Sequence, residues 1–275
     1  MMRTSLLFAL LISAFCPVAQ AERKHREIKR FPAPEAKQGV AVDDRFAYVV
    51  SDFAIGKYRK SDGVRIASWE CPEGDPLIHM NDGYFHEGKL YAAHSNYPGV
   101  PSTSSVEVFD AETLQHIDSH SLGHGFGSLT WLDRRAGFWF AGFVYYGNRA
   151  AEPAKDPSWS QIVKFDNHWR RVAAWVFPEE LIEKFDDYGC SGGGFGPDGR
   201  IYGTGHDRTE LYVLEIPEAG SILKWVDTIA IPAEGQAFAW DPTEPWVFWS
   251  ILKKNREVIV GRVDPPGESA PGRAN

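Results

Sequence analysis

The sequence predicts an all-β fold, a five-bladed β-propeller closed by an N-terminal strand that completes the last blade. Strand-like segments run into tight polar turns five times, with spacings of 43, 47, 65 and 43 residues. A period near 45 residues with several strands per unit is typical of propellers. The five turns lie at Asp43, His86, Asp133, Asp198 and Asp241.

Each unit follows one plan: an apolar strand of small residues, a tight turn, a second strand, a variable loop, a third strand, a short turn and a fourth strand. Unit one places its strands at 39–42, 46–50, 55–58 and 64–69, and unit two at 83–85, 89–93, 105–109 and 114–120. Unit three has 128–132, 137–146, 161–165 and 170–177, and unit four has 193–195, 200–204, 211–216 and 222–231. Unit five has three strands only, at 237–240, 246–251 and 258–263.

The missing fourth strand of unit five is available at residues 25–31. This segment precedes unit one, has no partner in it, and runs into Pro32 and Pro34. The fourth strands of units three and four also run into prolines, at Pro178 and Pro232. We expect the segment to close the ring, because closure removes the open edges that a linear array would leave.

The chain begins like a secretory signal peptide. Arg3 precedes an apolar run over 6–15, and small residues lead to Ala21. This pattern predicts a signal peptide at 1–21, a single propeller domain at 22–266 and a disordered tail at 267–275. The mature protein is then periplasmic or secreted. No other segment approaches the roughly 20 apolar residues of a membrane span, so we expect no membrane insertion after cleavage.

Composition restricts the partners. Asp and Glu number 37 against 29 Lys and Arg, a net charge of −8 that disfavours binding to nucleic acid. We expect a monomer that binds a small-molecule ligand. Cys71 and Cys190 lie in different units, and the sequence leaves open whether they pair.

Long connections indicate which face of the ring is functional. They occur at 95–104, 147–160 and 178–191, whereas the turns on the other face stay short. Insertions gathered on one face of a repeat protein usually mark its binding side. The pattern over 179–185 predicts a short helix, either a lid over the channel or an element packed on the rim.

Four histidines fall on segments assigned to the long-loop face: His79, His94, His124 and His206. Imidazoles that converge on the channel could bind a divalent metal ion or transfer protons near neutral pH. The candidate catalytic residues are His79, His206 and Glu234, with a histidine or Glu234 as general base. The alternative is that these are ordinary hydrogen-bonded histidines of the rim.

Other polar side chains recur at equivalent positions of the units, including Asp52 and Asp207. They either bind substrate or satisfy channel waters and backbone groups. The basic residues in the loop of unit five, Lys253, Lys254 and Arg256, either hold a carboxylate substrate or form a solvated hairpin tip. The candidate substrate-binding residues are Gln38, Asn81, Gln236, Lys253 and Arg256.

Residues 189–193 match the G-x-S-x-G string of hydrolase nucleophile elbows. That motif requires a strand, a sharp turn and then a helix. A glycine-rich inner strand follows here, so we interpret the match as fortuitous.

Four segments resemble a family of exported bacterial propellers whose members are commonly labelled cycloisomerase, within the wider group of YncE-type and NHL-type propellers. The segments read QGVAVD at 38–43, IGKY at 55–58, AHSNYPGVP at 93–101 and SVEVFD at 105–110. The resemblance implies a propeller fold and an intramolecular ring closure or opening. It assigns no catalytic residue.

Two classes of function remain open. The first is an isomerase or lyase that acts on a small anionic molecule at the channel mouth, where a base removes a proton and a metal or cation stabilises the enolate. The second is a non-catalytic protein that binds a glycan, peptide or protein through aromatic loop residues. Those residues are Tyr97, Tyr145, Tyr146 and Trp159. The fold alone hosts both classes.

Overall fold

The computed structural model describes residues 22–147 and 150–267, which form five four-stranded antiparallel sheets. The innermost strand of each sheet contacts those of its neighbours, so the sheets close into a ring. The predicted five-bladed propeller is therefore confirmed. The predicted signal peptide, and the predicted tail beyond Gly267, lie outside the described residues. Within the described ranges, no helix is long and apolar enough to cross a membrane.

The strands are labelled in chain order. Blade 1 contains β2 (Gly39–Val42), β3 (Phe46–Val50), β4 (Ala54–Arg59) and β5 (Arg65–Glu70). Blade 2 contains β6 (Met80–His86), β7 (Lys89–Ser95), β8 (Thr103–Asp110) and β9 (His116–His124). Blade 3 contains β10 (Ser128–Arg135), β11 (Phe138–Val144), β12 (Gln161–Phe165) and β13 (Arg171–Val176).

Blades 4 and 5 follow the same order from the channel outwards. Blade 4 contains β14 (Gly192–Phe195), β15 (Ile201–Thr204), β16 (Glu210–Glu215) and β17 (Lys224–Ala230). Blade 5 contains β18 (Ala239–Trp240), β19 (Val247–Leu252), β20 (Glu257–Val263) and β1 (His25–Pro32). The helices are α1 (Glu179–Phe185) and two short 3-10 turns, Pro157–Trp159 and Asp186–Tyr188.

The N-terminal strand closes the ring. β1 pairs with β20 in an antiparallel register that runs from His25 opposite Val263 to Pro32 opposite Glu257. The predicted completion of the last blade is confirmed. Arg23 reinforces the closure, because its Nε donates to the carbonyl of Asp264 at 2.7 Å.

Asp43 and Asp241, two of the acidic residues that mark the repeat, close turns between first and second strands. The Oδ1 of Asp43 accepts the backbone N–H of Phe46 at 2.6 Å, and its Oδ2 accepts the hydroxyl of Tyr48 at 2.7 Å. Asp241 does the same in blade 5, where its Oδ2 accepts the indole Nε1–H of Trp249 at 2.9 Å. One carboxylate thus satisfies turn amides and anchors an aromatic side chain of the second strand.

Apolar side chains pack between the blades and form the core. At the junction of blades 1 and 5, Val40 and Val49 pack with Phe31, Trp249 and Val260. The strands are rich in valine, isoleucine and aromatic residues because these side chains fill the space between stacked sheets. Burial of each fully enclosed side chain of this kind contributes about 1.5–3 kcal/mol.

Glycines in the inner strands permit close packing at the channel. A Cβ atom on Gly193 would lie 2.4 Å from Cε2 of Trp131, which is fully buried. Ser191 leads into β14 rather than a helix, as expected if the G-x-S-x-G match is fortuitous. Cys71 and Cys190 are both free thiols.

The helix α1 has the predicted bounds and packs on the rim. Its Leu181 and Phe185 side chains are buried among apolar residues of blades 3 and 4. The helix therefore supports the long loop that follows it, which carries Tyr188 to the channel mouth.

Candidate functional site

A cavity of about 400 Å³ lies at the channel mouth on the long-loop face. All five blades or their connecting loops contribute to its wall. Polar and aromatic side chains predominate there, and the volume falls in the range of small-molecule sites. Six residues predicted from the sequence as catalytic or substrate-binding line this cavity: Gln38, His79, Asn81, His206, Gln236 and Lys253.

His79 and Asp52 form the first of two histidine–carboxylate pairs. The Nδ1 of His79 lies 2.9 Å from Oδ1 of Asp52. The same carboxylate accepts a hydrogen bond from Nε2 of Gln38 at 2.5 Å and contacts the ammonium of Lys37. Lys37 and Gln38 lie in the loop before β2, Asp52 lies between β3 and β4, and His79 lies in the loop before β6. The propeller ring brings these three loops together.

His206 and Asp207 form the second pair, in the loop between β15 and β16. The Nδ1 of His206 lies 2.6 Å from Oδ1 of Asp207. The imidazole stacks on the ring of Tyr188 with a centroid distance of 4.0 Å. Burial lowers the pKa of His206, and the nearby ammonium of Lys253 lowers it further. The ring is therefore neutral near pH 7.

Two lysines make one side of the cavity cationic. Burial lowers the pKa of Lys253, although Asp207 counteracts part of the effect. Burial also lowers the pKa of Lys37, with further lowering from Arg256 and Lys253. Within 22–147 and 150–267, the ammonium of Lys253 has no hydrogen bond or ion pair.

Two amide side chains lie on the inner wall of the cavity. Asn81 donates from Nδ2 to the carbonyl of Leu129 at 2.8 Å, so it ties blade 2 to blade 3. Gln236 is 4% exposed, and its Nε2 has no acceptor among the described residues. A buried amide N–H without an acceptor is costly, so this group is a candidate for binding a ligand oxygen.

Tyrosine rings form the opposite side of the cavity. Tyr97 lies 4.9 Å from the ring of His79 and 4.9 Å from that of Tyr146, measured between centroids. Tyr146 is buried, and Tyr145 beside it points away, since its hydroxyl accepts from Nζ of Lys155 at 3.0 Å. Trp159 is 53% exposed and is not part of the cavity wall.

Four predicted site residues lie elsewhere. His94 is buried on β7, with its Nδ1 2.9 Å from Oγ of Ser105, and His124 ends the outermost strand of blade 2. Glu234 and Arg256 stand outside the cavity wall. In the described part of the chain, no three His, Cys, Asp or Glu side chains group as metal ligands. Of the four histidines predicted as metal ligands, His79 and His206 line the cavity, whereas His94 and His124 do not.

The wall residues that sequence reasoning missed include Lys37, Thr130 and Tyr188. Lys37 immediately precedes the predicted Gln38 in the same loop, so its position offered a signal. Tyr188 follows α1 in a long connection whose path no sequence pattern specifies. Thr130 lies on β10, where its Oγ1 donates to the carbonyl of Cys190 at 2.8 Å.

A second cavity, of about 430 Å³, lies among the turns between first and second strands. Asp133 in its wall accepts the backbone N–H groups of Arg134 and Phe195, each at 2.5 Å. Burial raises the pKa of Asp133 to about 6 despite these bonds. Asp82, on the adjacent inner strand, is also buried, and burial raises its pKa well above the usual range.

The chain was compared with solved structures, one of which aligns with a TM-score above 0.5. A luciferin-regenerating enzyme aligns with a TM-score of 0.54 at 14% identity, over 86% of this chain and 94% of that chain. That likeness shows the propeller fold alone. The RRP9 WD40 repeats align with a TM-score of 0.48 at 8% identity, over 82% of this chain and 79% of that chain. A chain of the mitotic checkpoint complex aligns with a TM-score of 0.48 at 9% identity, over 95% of this chain and 100% of that chain. No protein-family model and no curated protein sequence matches this chain.

Proposed function

We propose that the protein is an exported isomerase or lyase that acts on a small anionic molecule in the cavity on the long-loop face. One observation carries the proposal: two histidines, each with Nδ1 beside a carboxylate, line a cavity that also contains two partly buried lysines. Proton transfer and anion binding are the two requirements of enolate chemistry.

His206 has the properties of a general base. The carboxylate of Asp207 holds Nδ1–H, which leaves Nε2 as the acceptor of the neutral ring. Its lowered pKa keeps that nitrogen unprotonated near pH 7. His79 is oriented in the same way by Asp52 and provides the second proton-transfer group. Two such groups allow one to remove the proton and the other to deliver a proton to a different carbon.

The remaining wall residues can stabilise the negative charge of the substrate and of the enolate that forms from it. A base removes a proton from the carbon next to a carbonyl, and the bonding electron pair moves onto the carbonyl oxygen. The N–H of Gln236 can stabilise that oxyanion, while Lys253 holds the carboxylate of the substrate. Reprotonation at another carbon completes an isomerisation, and departure of a β-substituent completes an elimination. Glu234 stays a candidate base only for a substrate that extends beyond the cavity wall.

A binding protein for glycans or peptides is the second candidate. Tyr97, Tyr146 and Tyr188 present aromatic rings to the cavity, and such rings stack on sugars and on planar groups. This alternative requires neither histidine for function. It predicts that substitution of the tyrosines abolishes binding whereas substitution of the histidines does not.

Hydrogen exchange at carbon distinguishes the candidates. The purified protein is incubated in D2O with 2-oxo acids, 3-oxo acids and carboxylated lactones, and deuterium incorporation is followed by proton NMR. We expect exchange by the wild type, and a loss of about 10²–10⁴-fold in His206→Gln and His79→Gln. His168→Gln, at an exposed turn remote from the cavity, is the matched control and should retain full activity. Exchange that persists in both cavity variants would remove the histidines from the mechanism.

A further inference from the structure

We infer that the cavity binds an aromatic carboxylate, with the carboxylate on the blade 5 side and the ring on the side of blades 2 and 3. The inference takes its site from the proposed function and adds the class of ligand. It depends on two groups without partners, on the aromatic wall across the ring, and on the apolar rim.

The carboxylate side is defined by two donors without acceptors. The Lys253 ammonium, in the loop between β19 and β20, forms no hydrogen bond or ion pair with any described residue. The Nε2 of Gln236, in the loop that enters blade 5, is buried and likewise lacks an acceptor in the described ranges. A carboxylate on Lys253 has a second oxygen that can accept one N–H of Gln236, and the other N–H of that amide stays available for the oxyanion of the proposed reaction.

Nearby charge favours an anion at this position. Lys37 faces the same cavity, and Arg256 in the blade 5 loop lowers the pKa of both lysines. Asp52 lies in the cavity wall and Asp207 lies beside it. Each carboxylate contacts the Nδ1 of a histidine. An incoming anion therefore relieves repulsion among cations and meets few free acceptors.

The opposite side is aromatic. Tyr97 and Tyr146, from loops of blades 2 and 3, contact each other at a tilt of 57° and line the cavity with Pro98. In a ring of five, blades 2 and 3 lie across from blade 5. A ligand that fills the space must therefore be anionic at one end and flat and apolar at the other.

An apolar rim lies on loops of blades 1 and 2, within or next to segments that contribute to the cavity wall. Three hydrophobic side chains on loops of the same face are exposed: Phe53 at 57%, Ile78 at 52% and Val100 at 46%. Ile78 also belongs to the cavity wall. A carboxylate without an apolar part gains nothing from this rim, whereas an aromatic ring covers part of it.

Calorimetric titration with four compounds tests the inference: phenylacetate, phenylacetamide, acetate and cyclohexylacetate. We expect phenylacetate to bind at least tenfold more tightly than acetate, which lacks the ring, and than phenylacetamide, which lacks the charge. Cyclohexylacetate should bind with an affinity between those of phenylacetate and acetate, because its ring fills the space but does not stack on the tyrosines. Lys253→Met and Tyr97→Leu should each weaken phenylacetate binding about tenfold. Lys254→Met, at the exposed neighbouring position, is the control and should leave binding unchanged.

The outcomes separate this inference from the proposed function. Equal affinity for acetate and phenylacetate would overturn the aromatic side, and equal affinity for phenylacetamide would overturn the anionic side. No binding of phenylacetate at millimolar concentration, or binding of a neutral glycan in its place, would also overturn it. Deuterium exchange into short oxo acids without any aromatic preference would sink the inference and leave the enzyme proposal standing. Tight phenylacetate binding without deuterium exchange in any carbon acid would support the inferred ligand class and contradict the enzyme proposal.

Discussion

Replacement of Asp133 by asparagine should change how the stability of the propeller depends on pH. Asp133 is buried, and burial raises its pKa from 3.8 to about 6 in the folded protein. An acid with a higher pKa in the folded state holds its proton more tightly there than in the unfolded chain. Its contribution to stability is therefore complete below pH 3.8 and is lost as the pH rises through 6.

The magnitude follows from the two pKa values. One pKa unit corresponds to about 1.36 kcal/mol, so this carboxyl should reduce the free energy of unfolding by about 2.5 kcal/mol between about pH 4 and 7.5. Asp133→Asn removes the titration. It also replaces one acceptor oxygen by an amide that cannot accept the N–H of Arg134 or Phe195. The protonated carboxyl of the wild type also has one oxygen that carries hydrogen, so the variant should differ little in stability from the wild type near pH 4. It should be more stable than the wild type by about 2.5 kcal/mol at pH 7.5.

Urea unfolding of both proteins at half-unit intervals from pH 4 to 7.5 provides the measurement. The difference between their free energies of unfolding should change by about 1.36 kcal/mol per pH unit between about pH 4 and 6 and level off above pH 6. Asp82 is present in both proteins, so its own titration largely cancels in the difference. A difference that stays constant within about 0.5 kcal/mol across the series would refute the reasoning, because it would show that Asp133 ionises equally in both states.

Two further substitutions test the packing of the channel and the closure of the ring. Gly193→Ala should lower the free energy of unfolding by about 1–3 kcal/mol, because its Cβ would lie 2.4 Å from Trp131. Gly205→Ala, whose Cβ would make only an ordinary contact at 3.4 Å, is the control, and equal losses in the two variants would contradict the steric argument. Arg23→Met should cost about 1.5–3 kcal/mol in thermal unfolding, because it removes charged hydrogen bonds at the closure. Lys24→Met, at an exposed position, should change stability by less than about 0.5 kcal/mol, and an equal effect of both changes would count against a role for Arg23.

The repeat was predictable because the residues that mark it have the same structural role in different blades. Asp43 and Asp241 recur at the turns since each must satisfy turn amides and an aromatic partner on the next strand. The closure was predictable because residues 25–31 read as a strand without a local partner. Both signals depend on backbone hydrogen bonding, which imposes a regular spacing along the chain.

The site was only partly predictable because side-chain direction is not encoded in spacing. His94 occupies the expected strand, but its side chain faces Ser105 within the sheet instead of the cavity. His124 belongs to β9, which extends four residues beyond the predicted end at 120 and keeps the histidine on the outermost strand. Errors of a few residues at strand ends are enough to move a side chain from one surface to another.

The pairing of β1 with β20 determines when the domain can finish folding. Arg30 and Glu257, which meet across this pair, are separated by 227 residues in the chain. During synthesis, β1 therefore has no sheet partner until β20 is available, and blade 5 remains incomplete for the whole interval. Truncation before Glu257 should accordingly yield an aggregation-prone product with two exposed sheet edges instead of a smaller stable propeller.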